Sequence, residues 1–147
     1  MTKQAWDNIP KAKKAYKARS SEEDSLTFAV AAWLHLALRG TDVAWTHFPA
    51  GEKRTVKTGA KLKKMGLKPG WPDFIFLMRS HQGVSASVTS TFIGIDLKSK
   101  TGKQSASQKD VQAQIEAAGG YYYLARSIPE VAGYLMGHGI DLQARAV

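Results

Sequence analysis

The chain has 147 residues, 44% of them hydrophobic and 22% charged, the proportions of an ordinary globular protein that can bury a core in one domain. It contains no cysteine, which excludes disulfides and thiolate metal sites and fits a reducing cytoplasm; no apolar run approaches the roughly 20 residues of a membrane-spanning helix, and no secretory h-region opens the sequence. A net charge of +9 favours a polyanionic partner, chiefly nucleic acid.

Residues 1–19 read as a basic N-terminal arm carrying Lys3, Lys11, Lys13, Lys14, Lys17 and Arg19, interrupted by Pro10, and residues 20–147 as one folded domain. Ser20 and Glu23 have capping-box spacing, and Leu26, Val30, Trp33 and Ala37 follow at helical intervals up to Gly40, so a helix is expected from Ser20. Val43 to Phe48 reads as a strand. The glycine-punctuated stretch 50–70 reads as loop with a short helix ending at Gly66, and its Lys53, Arg54, Lys57, Lys61, Lys63 and Lys64 are candidate DNA contacts. Phe74 to Met78 is a continuous apolar run expected to be buried on both faces of a sheet. After a hairpin loop over 80–90, Phe92 to Lys98 alternates, with Ile93, Ile95 and Leu97 on one side and Asp96 and Lys98 on the other. Ser105 and Gln108 form a second capping box ahead of Val111, Ile115 and Ala118, Gly119-Gly120 stops that helix, Tyr121 to Arg126 is a strand, and Ser127 and Glu130 open a last helix. The order α-β-β-β-α-β-α implies an α/β fold with a mixed central sheet flanked by helices.

Hydrolysis of a phosphodiester calls for a cation that neutralises the phosphate and activates water, and for a donor that stabilises the charge of the transition state. Mg²⁺ suits this role, with Mn²⁺ expected to substitute, and it takes hard oxygen ligands from one or two carboxylates. Asp73 stands at the mouth of one apolar strand and Asp96 near the end of the next, and Lys98 shares the strand face of Asp96. If the two strands pair as a hairpin, both acids and the lysine converge. Taken one at a time, Asp73 is equally a turn residue after Pro72, and Asp96 with Lys98 an exposed cross-charge pair. His47, alone at a strand end, is more simply structural.

Pro72-Asp73 followed by Asp96-Leu97-Lys98 resembles the PD-(D/E)XK nuclease superfamily, whose core is αβββαβ. The ordered set Gly70-Trp71-Pro72-Asp73-Phe74, Ile95-Asp96-Leu97-Lys98, Gly102, Ser105, Gln108, Gly119-Gly120-Tyr121 and Ala125-Arg126-Ser127 resembles the VRR-NUC group, the virus-type replication-repair nucleases, over roughly residues 20–138. The resemblance implies metal ligation by Asp73 and Asp96, with the Leu97 carbonyl as a third ligand, and a catalytic role for Lys98. It implies support from Gln108, which the capping box also explains, and a catalytic, metal-ligating role for Glu23, which stands in register with the buried stripe of its helix and would be costly there unless paired or metal-bound. Two positions depart from the pattern: Ala50-Gly51 stands where relatives carry Asn-Gly, and Asp96 where Glu is commoner. The implied activity is a Mg-dependent, structure-selective deoxyribonuclease acting on branched DNA such as four-way junctions or flaps, in a phage or bacterial setting. The rivals are a non-catalytic basic DNA-binding module, opposed by acids set among the positive charge, and a restriction-type enzyme, opposed by the short chain. A symmetric junction needs two cuts, so a homodimer is expected, with Tyr121-Tyr122-Tyr123 and the 80–90 hairpin as interface candidates.

Overall fold

Apolar side chains at helical spacing build the first helix, α1 (Ile9–Ala37), in the computed structural model, which describes residues 9–49, 54–80 and 89–147, with side chains from residue 21 onward. Val30, Trp33, Leu34 and Ala37 are buried along one face of α1 and Leu26 packs against them. The expected start at Ser20 is not observed. The helix runs unbroken across the boundary between residues 19 and 20 and begins at Ile9-Pro10, where proline's missing N–H falls among donors that a helix leaves unpaired anyway. Glu23 is therefore not part of a capping box. The remainder of the expected arm, residues 1–8, lies outside the described residues.

Strands β1 (Ala44–His47), β2 (Phe74–Ser80), β3 (Thr89–Leu97) and β4 (Tyr121–Ala125) form one sheet in the order β1-β2-β3-β4. β1 and β3 both pair antiparallel with β2, while β4 runs parallel to β3. The parallel pair requires a crossover, supplied by α3 (Ala106–Ala117). α2 (Val56–Lys64) lies between β1 and β2 in sequence, and α4 (Ile128–Gly137) follows β4. The result is the expected mixed sheet flanked by helices. The β2–β3 connection, residues 81–88, falls outside the described residues, but Ser80 pairs with Thr89 across it.

The two faces of the sheet have different fates. One carries Phe74, Phe76, Met78, Ile93, Ile95, Leu97 and Ala125 into the main core against α1 and α4. Residues from the C-terminal segment close this core: Ile140 is buried in it, Trp33 Nε1 donates to the Arg145 carbonyl (3.0 Å) and Gln143 N–H to the Ala37 carbonyl (2.8 Å). The other face meets α3 through Val111, Ile115, Tyr122, Trp71, Phe92 and Leu124. β2 is not buried on both faces as expected: Phe74, Phe76 and Met78 are enclosed, whereas Ile75 is half-buried and Leu77 is 49% exposed. α3 covers the second face only over β3 and β4, which leaves that side of β2 thinly roofed. The tyrosine run is spent largely on this packing. Tyr122 is buried under α3, and Tyr123 stacks on Tyr134 (4.3 Å between rings) and shares a hydrogen bond with His138.

Candidate active site

Phe74 lies opposite Ile95 in the antiparallel β2–β3 ladder. The next residue along each strand, Asp73 and Asp96, therefore comes face to face, on the side of the sheet away from the main core. These are the two central strands. Asp73 is held by two backbone contacts: its Oδ2 accepts from the Leu97 N–H (2.6 Å), and its carbonyl accepts from the Phe48 N–H of the β1 end (2.7 Å). The N–H and C=O of one strand residue point to the same side, which turns the Leu97 carbonyl toward β2 as well.

Lys98, also buried, leaves the same face of β3 and places Nζ 2.5 Å from Asp96 Oδ2. Its own N–H is fixed by the Ala125 carbonyl of β4 (2.9 Å). Gln108 makes two contacts at once. Its Oε1 accepts from the Ser105 N–H (2.8 Å), completing the capping box of α3, while its Nε2 donates to Asp96 Oδ1 (3.0 Å). The cap geometry thus aims the amide, and the amide orients the carboxylate.

Two carboxylates in contact, both largely removed from water, disfavour ionisation. Burial pushes the Asp73 carboxyl up, against the Leu97 N–H and the charges of Lys98 and His47, which lower it. Burial, together with the neighbouring Asp73 charge, lifts Asp96 to about 7 despite Lys98. The Lys98 ammonium already stands as a cation against Asp96 Oδ2. The donor set of carboxylate oxygens and one carbonyl fits a hard divalent ion that keeps several waters. Among the described residues no group of three or more His, Cys, Asp or Glu converges as a metal cage, so the fit is to a site of two carboxylates, not three acids.

Glu23 approaches from α1 over the strand end, as its place on the buried stripe predicts. Its Oε1 lies 3.5 Å from the Ser99 N–H, and its charge acts on Asp73. It is a neighbour of the acid pair without joining it in a three-acid group. His47 pairs with Phe74 across the β1–β2 ladder, its ring 5.3 Å from the phenyl ring, close enough for its charge to be felt at Asp73. Lys57, Lys61, Lys63 and Lys64 are all exposed on α2, whose first turn carries no acid. Arg54 donates to the Pro49 carbonyl, and Lys53 lies outside the described residues.

Three features of the site escaped the sequence reading. Gly94 sits under Pro72: a Cβ there would meet the proline Cγ at 2.5 Å, so a bare position in β3 lets the Pro72-Asp73 corner close on the sheet. The signal was a glycine in the middle of a strand. Gly70 adopts φ +90°, and a Cβ would lie 2.3 Å from the Ser107 carbonyl, which locks the turn before Asp73 to the start of α3. Ser99 is 3% exposed and its hydroxyl has no hydrogen-bond partner among the described residues, while Arg126 donates to its carbonyl. Only its position after Lys98 could have drawn attention to it.

No known family profile matches the sequence, and no protein of curated function matches it. Comparison with solved structures finds a VRR_NUC domain protein with a TM-score of 0.58, 20% identical and aligned over 80% of this chain and 87% of its own. The chain therefore has the fold of that VRR_NUC domain protein, the fold that the motif order from Gly70 to Gln108 resembles.

Proposed function

We infer that the protein is a divalent-metal-dependent DNA nuclease that hydrolyses phosphodiester bonds, with Mg²⁺ as the working ion and Mn²⁺ as a substitute. The observation that carries this reading is the meeting of Asp73 and Asp96 across the two central strands, with Lys98 Nζ 2.5 Å from Asp96. The fold shared with a VRR_NUC domain protein and the +9 net charge support it. A purely DNA-binding module has no use for two facing acids, one buried and one half-buried, that repel phosphate.

Asp73, Asp96 and the Leu97 carbonyl would hold the ion. Bound there, it would neutralise the scissile phosphate and lower the pKa of water. The chain's own groups set the stage for this. Leu97 N–H and Gln108 Nε2 fix one oxygen of each acid, so that the pair is preorganised. Lys98 supplies a positive charge on the same face, where it can orient water or stabilise the transition state. Glu23 restrains the backbone just after Lys98 through Ser99, which makes it a positioning residue. Exposed lysines on α2 supply phosphate contacts.

Within this reading the substrate is branched DNA, four-way junctions or flaps, and the enzyme acts on a junction as a homodimer, since two symmetric cuts call for two related sites. The test is a cleavage panel of linear duplex, flap and four-way junction in Mg²⁺, with sedimentation velocity on the junction complex. Faster cutting of the branched substrates and two protomers per junction are expected. Equal rates on linear duplex would remove the branch preference, and one protomer resolving a junction would remove the dimer.

A further inference from the structure

We propose that the cleft between α2 and the exposed side of β2 receives a single unpaired DNA base next to the cut. The proposal rests on the nuclease reading and names what that site selects. The cleft, of about 570 Å³, is lined by Leu62, Leu67 and Lys68 from α2 and the turn after it, by Ile75 of β2, and by Phe48 and Trp71. That volume lies within the range of small-molecule sites. The Phe48 and Trp71 rings meet edge to face, 6.1 Å apart. Phe48, Leu62, Leu67, Trp71 and Ile75 all remain half-exposed, so the hollow is apolar, aromatic and open.

Charge identifies the occupant. The exposed Lys68 lines the cleft itself, and α2, which contributes Leu62 to it, bears Lys57, Lys61, Lys63 and Lys64, all exposed. An apolar peptide gains nothing from that cluster. A nucleotide matches both parts, offering a flat π face to the aromatic floor and a phosphate to the lysines, the combination by which proteins hold single strands. Three residues that line the cleft also flank or touch the Asp73 backbone. Trp71 precedes Asp73 by two residues, Ile75 follows it by two on the same sheet face, and Phe48 N–H donates to the Asp73 carbonyl. A strand whose phosphate reaches Asp73 can therefore lay a nearby base in the hollow. Removing a base from a duplex costs unstacking and unpairing energy, least where the base is already unpaired, so the cleft favours branch points.

The test compares affinity for two metal-free DNAs, a flap with one unpaired base at the branch and the same flap with an abasic site there. Wild-type protein is expected to prefer the first by about five- to a hundredfold, the range of one stacked base. Trp71→Leu removes the stacking surface, and Leu62→Phe fills the cleft from the outer helix without touching the buried core; each is expected to bring the ratio toward one. If Trp71→Leu fails to fold, Leu62→Phe still decides. A wild-type ratio near one, or a ratio unchanged in folded variants, overturns the proposal. So does Leu62→Phe raising the melting temperature without altering the ratio, which would mark a packing void, or a loss of self-association in Trp71→Leu with the ratio intact, which would mark a contact between copies. Mg²⁺-dependent cutting of the abasic flap with a ratio of one refutes only the base cleft. Absence of any DNA binding or cutting refutes the nuclease reading as well.

Discussion

At the scale of single residues, the site is a cluster that the fold tolerates at a cost. Asp73 and Asp96 have carboxyls raised above the ordinary value of 3.8, Asp96 to about 7. A group that binds its proton more tightly in the folded state favours folding fully below about pH 4 and loses that contribution as pH rises through its folded pKa, here up to about pH 7 for Asp96. Metal-free Asp73→Asn is therefore expected to melt above the metal-free parent at pH 8, with the difference closing as pH falls toward 4. Asparagine still accepts from Leu97 N–H and no longer opposes Asp96. Mg²⁺ should raise the melting temperature of the parent and not of Asp73→Asn, since on the proposed reading only the parent would bind it tightly when folded. Thermal melts at both pH values, with and without Mg²⁺, check both signs; a variant that melts below its parent at pH 8 contradicts the account. Lys98 poses a different question. On the proposed reading it is one of many cations available to DNA, and it shares the strand face of Asp96. Lys98→Ala should lower single-turnover cleavage by about 10²–10³-fold with DNA affinity little changed. A loss of affinity with cleavage reduced less than about tenfold would make it a phosphate anchor.

At the scale of elements, the candidate active site is a junction of segments, and its weakest tolerance is where they touch. The turn at Gly70 meets the start of α3 so closely that no side chain fits, and its positive φ forbids one independently. Gly70→Ala should cost at least about 2 kcal/mol and shift Gln108 off Asp96, so that turnover falls further than stability alone explains. Comparing its cleavage rate with that of Gln108→Ala checks this: rates as high as the parent's would show that the α3 start does not align the acids. On the proposed reading α2 serves the substrate and not the chemistry. Changing Lys57, Lys61 and Lys64 together to Gln should flatten the log–log salt dependence of DNA binding by up to about 0.9 per lysine, leaving the cleavage rate of bound DNA intact. An unchanged slope would place the DNA path elsewhere.

At the scale of the whole molecule, what was legible in the sequence was what has a period or a cap. Alternation along Ile93 to Lys98 gave the two faces of β3, and Ser105 and Ser127 opened α3 and α4 as expected. Asp73, Asp96 and Lys98 could be brought together on paper because hairpin register is arithmetic. The start of α1 was misread because a capping box is a local pattern, and Ser20 with Glu23 keeps its spacing inside a longer helix. β2 was misread because an apolar run does not say how much of a face a neighbouring helix covers. Gly70 and Gly94 escaped because their reason lies in contacts with distant residues, Ser107 and Pro72, that no local spacing encodes. The fold thus brings together an acid pair and a lysine, and the central claim is that this assembly cuts DNA with a divalent ion. The direct measurement is cleavage of a labelled four-way junction and flap by protein stripped with a chelator, then titrated with Mg²⁺, with Asp73→Asn alongside. The account predicts no cutting without metal, saturable recovery for the parent, and no recovery for Asp73→Asn although it binds the DNA as well or better; cleavage by the stripped protein, or by Asp73→Asn near the parental rate, would contradict it.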